Sequence, residues 1–245
     1  MSANTDPSFE SIASAAGHSP SLARRLGVLL LHMLWPVACP VCGRPGETLC
    51  GDCLASLLSP RPPRCLSCGE RAPCPAHPDA PRIQSGAVYR GGVRDVIAAL
   101  KYGGTRALGK GLGRGLALLW PAPEADLLLP VPLHLRSSRK YNQALEIARG
   151  LGRAWGIPAE DRARWAQDVP ARAGLGRAER MALRPEAFDV PEDLRGLRVA
   201  LVDDVCTTGS TLVCLASACR AAGARVAGAF TFASTGPEED GAEAG

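Results

Sequence analysis

The spacing of apolar residues changes several times along the chain, and each change predicts an element. Short apolar runs at 126–131 and 197–202 are typical of strands buried on both faces, and 83–89 and 225–232 also fit strands. Apolar residues recur at helical spacing between these runs, at 91–100, 108–120, 141–155 and 212–222. Strands that alternate with helices predict an α/β fold with a mostly parallel sheet.

The most informative stretch is GLRVALVDDVCTTGST at 196–211, where a strand, two acids, a polar loop and a helix follow in that order. This order places the loop at the carboxyl end of a strand, where open α/β sheets bind ligands. Gly209 permits a tight turn, and amide groups at the start of the next helix attract anions. A phosphate site is therefore predicted at Thr207, Thr208, Gly209, Ser210 and Thr211.

Asp203 and Asp204 repel phosphate, but carboxylates accept hydrogen bonds from sugar hydroxyls. A phosphate beside a ribose is the natural ligand for this combination. A simpler alternative is that the acid pair and the Thr-rich turn only cap a helix. A Walker A loop is excluded, because no Gly-Lys-Ser/Thr ends the turn.

The segment VALVDDVCTTGST resembles the 5-phosphoribosyl-1-pyrophosphate (PRPP) motif of type I phosphoribosyltransferases. The resemblance implies transfer of a 5-phosphoribosyl group with pyrophosphate as the leaving group. It also implies Mg²⁺ on the pyrophosphate, with Asp203 and Asp204 as the catalytic acids that hold the ribose.

Seven of the ten cysteines lie between positions 39 and 74, in C-x-x-C pairs that favour metal binding over disulfides. The first two pairs predict a tetrathiolate zinc site at Cys39, Cys42, Cys50 and Cys53. A second unit offers Cys65, Cys68, Cys74 and His77, where imidazole replaces a fourth thiolate. Because eight ligands leave no position for water, any zinc here is structural.

The chain has 245 residues, a net charge of +4 and 21% charged residues, which is ordinary for a soluble globular protein. Its basic residues concentrate at 131–184, with eleven Lys and Arg against five Asp and Glu. This excess suits a phosphorylated substrate, and a nucleic acid would require the same charge. The reduced cysteines and the absence of a cleavable leader predict a cytoplasmic protein, and no apolar run is long enough to span a bilayer.

A second resemblance covers most of the chain. The segments ALKYGG and PVPLH…R…YNQALEIARGL, together with the paired cysteine units, resemble the ComF family of competence-associated phosphoribosyltransferase-like proteins. In that family a double zinc ribbon precedes a type I phosphoribosyltransferase-like domain. The resemblance implies that Arg136, Arg139 and Lys140 bind the pyrophosphate, although these cations also suit an ordinary solvated loop. It further implies that the loop at 169–188 closes over the substrate.

These observations predict five regions. They are a disordered N-terminus at 1–20, an amphipathic helix at 21–36, a double zinc ribbon at 37–80, a phosphoribosyltransferase-like domain at 81–234 and an acidic disordered tail at 235–245. We expect the helix to pack on the protein body, with a membrane-surface role as the alternative.

Two functions follow from the resemblance. The first is a transferase that binds PRPP with Mg²⁺ and acts on an unidentified acceptor. The second is a non-catalytic accessory protein that handles imported single-stranded DNA alongside competence proteins. The scarcity of aromatic residues, 4% of the chain, argues against the stacking surface that the second role uses.

Overall fold

The computed structural model describes residues 37–166 and 185–235. The predicted N-terminus at 1–20, the helix at 21–36, most of the loop at 169–188 and almost all of the acidic tail lie outside these residues. All described residues from position 38 onward belong to one compact unit. No helix in that described part combines the length and the apolar content needed to cross a membrane.

A five-stranded sheet organises the described residues, and three of its four strand pairs are parallel. The strands are β1 (Arg64–Cys65), β2 (Arg82–Val88), β3 (Leu127–Pro130), β6 (Arg198–Cys206) and β7 (Arg225–Ser234), arranged in the order β1-β2-β7-β6-β3. Only β1, which lies in the second cysteine unit, is antiparallel to its neighbour. A separate antiparallel pair joins β4 (Arg164–Trp165) to β5 (Phe188–Asp189).

Five α-helices complete the described fold. They are α1 (Gly51–Leu57), α2 (Gly92–Tyr102), α3 (Arg106–Ala117), α4 (Gln143–Trp155) and α5 (Ser210–Ala221), with short 3₁₀ turns at Pro185–Ala187 and Glu192–Leu194. Helices α2 and α3 connect β2 to β3, α4 lies between β3 and β6, and α5 connects β6 to β7, so helices form the crossovers between parallel strands. The predicted α/β fold with a mostly parallel sheet is confirmed.

The sheet is buried on both faces, which explains the continuous apolar runs of its strands. On one face, Leu128 and Val202 pack in a cluster with apolar residues of α2, α3 and α4. On the other, Leu129 and Leu201 pack in a cluster with residues of α5, β4 and β5. Neighbouring residues of one strand thus enter different layers, as the pleat requires.

Most elements differ from their predicted limits by one or two residues, and two of them, β6 and α3, differ by more. Strand β6 extends to Cys206 instead of stopping at residue 202, because β7 continues to pair with it through Cys206 and Ser234. The acid pair therefore lies within the strand. Helix α3 begins two residues before the predicted position 108 and ends at Ala117, four residues before Pro121.

Glycines bring α3 and α4 into backbone contact. A Cβ on Gly113 would overlap the carbonyl oxygen of Ile147, and one on Gly150 would overlap the carbonyl oxygen of Lys110. A Cβ on Gly111, on the same helix, would meet no atom within 4 Å. The close approach positions the first turn of α4, which contributes to the site described below.

We expect Gly113→Ala to lower the free energy of unfolding by about 1–3 kcal/mol, because the helices must separate to admit the methyl group. Gly111→Ala is the matched control and should be neutral or stabilising by up to about 1 kcal/mol, as for other helix interiors. Urea denaturation of both variants measures the difference. Equal stability of the two variants would contradict the backbone contact.

Candidate functional site

Two neighbouring carboxylates lie near the carboxyl end of β6, and the pleat directs them to opposite faces of the sheet. Asp204 forms an ion pair with Lys101, the penultimate residue of α2, with 2.8 Å between Oδ2 and Nζ. The two side chains are only 11% and 18% exposed, so solvent screens the pair weakly. Asp203 Oδ1 accepts a hydrogen bond from the backbone N–H of Asp204 at 2.8 Å.

Asp203 has an unusual protonation equilibrium. Burial of the carboxyl group and the neighbouring charge of Asp204 raise its pKa to about 7, against the opposing influence of Lys101 and Arg139. The group is therefore partly protonated at neutral pH. A strongly raised pKa at a group that lines a cleft is typical of functional sites.

The loop after β3 brings cations to the same edge of the sheet, and the start of α4 holds that loop. Asn142 caps α4, since its side chain accepts from the Leu145 N–H at 3.4 Å and donates to the Val131 carbonyl at 3.0 Å. Gln143 is buried and donates to the Tyr141 carbonyl at 2.9 Å. Its Oε1 accepts a 3.0 Å hydrogen bond from Arg139, so this guanidinium is held in place.

The carboxylates and cations line one cleft of about 320 Å³. Of the predicted site residues, the cleft brings together Asp203, Asp204, Arg136 and Arg139. Lys140 is exposed on the same loop but does not line the cleft. The other lining residues are Val131, Pro132, Leu133, His134, Ser137, Asn142, Gln143, Ala144 and Trp165.

The predicted phosphate turn follows β6 directly. Gly209 is buried with a φ of 81°, the left-handed conformation that glycine adopts readily, and it precedes the first residue of α5. The Thr208 and Ser210 hydroxyls are 2.9 Å apart, and the Ser210 N–H donates to Thr208 Oγ1 at 3.4 Å. The residues of this turn do not line the cleft, but they follow shortly after Asp204, which does. They are Thr207, Thr208, Gly209, Ser210 and Thr211.

Both predicted cysteine clusters are assembled. Within each cluster, the four potential ligand atoms lie within 4.8 Å of one another. The first cluster consists of Cys39, Cys42, Cys50 and Cys53, and the second consists of Cys65, Cys68, Cys74 and His77. The sulfurs of Cys42 and Cys50 are 3.7 Å apart, and those of Cys68 and Cys74 are 3.6 Å apart. His77 Nδ1 lies 3.6 Å from the sulfur of Cys74.

These distances fit tetrahedral zinc. A Zn–S bond of about 2.3 Å separates two tetrahedral sulfur ligands by about 3.8 Å. Each cluster supplies four soft or borderline ligands, which is the composition of closed structural sites. Each set of residues could therefore hold one zinc ion of its own. The four protein ligands would leave no coordination position for a catalytic water.

Sequence reasoning missed two contributors to the site. Lys101 belongs to the segment ALKYGG. About a hundred positions separate it from Asp204, so no local pattern indicates their ion pair. Gln143 lies at the predicted start of a helix, and only its burial and its hydrogen bond with Arg139, both set by the fold, show that it holds a cation.

No protein-family model matches the chain, and no curated protein matches it. Solved structures with some similarity include adenine phosphoribosyltransferase from Thermoanaerobacter pseudethanolicus, with 15% identity, 74% of this chain and 86% of that chain covered, and a TM-score of 0.38. The glutamine PRPP amidotransferase from B. subtilis, complexed with ADP and GMP, gives 28% identity, 49% and 25% coverage, and a TM-score of 0.35.

The allosteric regulatory enzyme of purine biosynthesis gives 26% identity, 51% and 25% coverage, and a TM-score of 0.37. The chain thus spans about a quarter of the length of this enzyme and of the amidotransferase. Each of these TM-scores lies below 0.5, so these similarities do not establish a function for the chain.

We expect close to two zinc ions per chain by elemental analysis of protein purified without chelators. Cys42→Ser and Cys68→Ser each remove one exposed ligand from one cluster, so each variant should retain close to one tightly bound ion. One ion in the unmodified protein, lost only through Cys42→Ser, would show that the second cluster holds no metal.

Proposed function

We propose that the chain binds PRPP with Mg²⁺ at the carboxyl edge of the sheet and transfers its 5-phosphoribosyl group to an acceptor. One observation carries the proposal: Arg136 and Arg139 share a cleft with Asp203 and Asp204. Cations beside carboxylates suit a ligand that joins an anionic group to hydroxyl groups. PRPP has this composition, with pyrophosphate on the anomeric carbon of the ribose and hydroxyl groups on the two carbons that follow it.

In this proposal the pyrophosphate lies against the guanidinium groups of Arg136 and Arg139. Arginine presents a planar fork of donors that matches phosphate oxygens, and the start of the 13-residue helix α4 adds a favourable dipole. The hydrogen bond from Arg139 to Gln143 fixes this cation before the ligand binds. Preorganised charge of this kind stabilises a leaving group as its negative charge develops.

The carboxylates accept hydrogen bonds from the ribose hydroxyls. Their negative charge also stabilises the positive charge that develops on the ribose as the bond from its anomeric carbon to pyrophosphate breaks. The acceptor then forms the new bond to that carbon, and pyrophosphate leaves. The turn at 207–211 binds the 5-phosphate, so binding energy away from the reacting carbon orients it.

The donor set also fits Mg²⁺, which prefers carboxylate and phosphate oxygens and retains several waters. When bound to pyrophosphate, the ion lowers the charge of the leaving group. Asp203 and Asp204 are the carboxylates of the cleft that could contribute to its coordination shell.

The resemblance to the ComF family extends this proposal to competence and DNA uptake. The alternative function, handling of single-stranded DNA without catalysis, is favoured by one observation. Tyr102 is 77% exposed and follows Lys101 in sequence, so an aromatic ring stands free beside a residue of the site. Base stacking on that ring and binding that weakens steeply with salt would characterise this role.

We expect Mg²⁺-dependent binding of PRPP in titration calorimetry and its loss in the double variant Asp203→Asn and Asp204→Asn. Neutral amides accept hydrogen bonds less strongly than carboxylates, and loss of charge-assisted bonds at two positions should weaken binding by at least about a hundredfold. Asp95→Asn, on the exposed surface of α2, is the control and should bind as the unmodified chain does. Unchanged affinity in the double variant would contradict the proposal.

We expect the affinity for Mg·PRPP to fall about tenfold as the pH is lowered from 8 to 6, since protonation of a single group with a pKa near 7 removes an acceptor. PRPP itself titrates in this range, so Asp203→Asn provides the baseline and should lack the contribution of the protein. Lys101→Met should move the transition to higher pH, because Lys101 opposes the rise in the pKa of Asp203. A pH profile shared by the unmodified chain and Asp203→Asn would argue against Asp203 as the titrating group.

A further inference from the structure

The second cysteine cluster lies directly against the predicted phosphate turn. A Cβ on Gly69, the residue after Cys68, would lie 2.8 Å from the carbonyl oxygen of Thr208. A Cβ on Gly209 would lie 3.5 Å from the Cα of Gly69. The backbones of the two turns therefore touch, although 139 positions separate Gly69 from Thr208.

The shape of the cysteine turn determines where Gly69 lies. Gly69 has a φ of 81°, and its N–H donates to the Cys65 carbonyl at 2.8 Å. The Ser67 N–H donates to the sulfur of Cys65 at 3.4 Å, so the sulfur itself is part of the turn. Arg64 donates to the Gly69 carbonyl at 3.5 Å and to the Thr235 carbonyl at 3.4 Å, which joins the turn to the end of β7.

We propose that the second cysteine cluster positions the phosphate turn, so that a metal ion held by Cys65, Cys68, Cys74 and His77 increases the affinity of the turn for a phosphate ligand. The identity of that ligand as PRPP rests on the proposed function. The coupling itself rests on the contact between Gly69 and Thr208.

The direction of the coupling follows from the geometry. An ion that gathers the four ligands fixes the backbone from Cys65 to Gly69, and close packing transmits this order to Thr208. The amide groups at 208–210 must converge on phosphate oxygens, and small displacements of such groups cost binding energy. Linkage is reciprocal, so a bound phosphate ligand strengthens metal binding at the second cluster by the same factor.

The chain contains its own control for this contact. Gly43 follows Cys42 in the first cluster just as Gly69 follows Cys68, and its φ of 72° is similar. A Cβ on Gly43 would meet no atom within 4 Å. Alanine at either position introduces comparable backbone strain next to a metal site, but only Gly69→Ala pushes against the phosphate turn.

The experiment compares Gly69→Ala with Gly43→Ala in the zinc-loaded full chain. Four quantities are measured: zinc content, thermal midpoint, amide hydrogen exchange at 207–211 and affinity for Mg·PRPP. We expect two zinc ions in both variants, and a somewhat lower midpoint for Gly69→Ala because its Cβ would overlap the Thr208 carbonyl oxygen. Gly69→Ala should show at least about tenfold faster exchange at 207–211 and at least about tenfold weaker PRPP binding, whereas Gly43→Ala should match the unmodified chain.

A second pair of variants keeps the test decisive if Gly69→Ala fails to fold or to retain zinc. Cys42→Ser and Cys68→Ser each alter an exposed cysteine ligand of one cluster. Only Cys68→Ser should accelerate exchange at 207–211. Equal exchange in both members of each pair that folds overturns the inference.

Failure of the two proposals can be told apart. If the unmodified chain gives no heat with Mg·PRPP while exchange at 207–211 responds to Cys68→Ser and not to Cys42→Ser, the coupling stands and the proposed function falls. If PRPP binds with equal affinity to Gly69→Ala and Gly43→Ala and exchange is also equal, the proposed function stands and the coupling falls.

Discussion

Two adjacent negative charges near the end of a buried strand are the constraint around which the site is built. Burial opposes the ionised form of Asp203, and the neighbouring charge of Asp204 opposes it further. The pleat separates the two side chains, and Lys101 compensates Asp204 from a helix on one face of the sheet. Within the described residues, no cation forms a hydrogen bond with Asp203. Its ionised form is therefore less favourable, and its pKa is raised.

This arrangement divides the cleft into two chemical halves. The loop after β3 contributes guanidinium groups, and β6 contributes carboxylates. Neither half alone would select a sugar phosphate, since a basic loop binds many anions and an acid pair binds many polyols or cations. Parallel strands place both halves at one edge, because the ends of β3 and β6 are neighbours in the sheet. In the proposed function, specificity for a ligand that combines both groups follows from this topology.

The sequence predicted the parts of this site whose spacing is local. The strand, the turn, α5 and both cysteine clusters each lie within about forty residues, and their patterns were sufficient to place them. The extension of β6 to Cys206 was not predictable in this way, because it depends on pairing with β7. Lys101 and Gln143 were missed for a related reason: each acts through a contact that is set by tertiary packing.

No local sequence pattern predicts the contact between Gly69 and Thr208. Its importance depends on how the segment with the two cysteine clusters is stabilised. Around the first cluster, Cys39, Cys50 and Cys53 are the buried residues of a small core, with Leu49 packed against them. A segment with so small a core depends on its metal ligands for order. The second cluster, however, contributes β1 to the main sheet and Gly69 to the neighbourhood of the turn. In the proposed coupling, a backbone ordered by the ligands of the second cluster therefore also orders the sheet edge where the proposed substrate binds. The two clusters have similar spacing, but only the second would affect the substrate site.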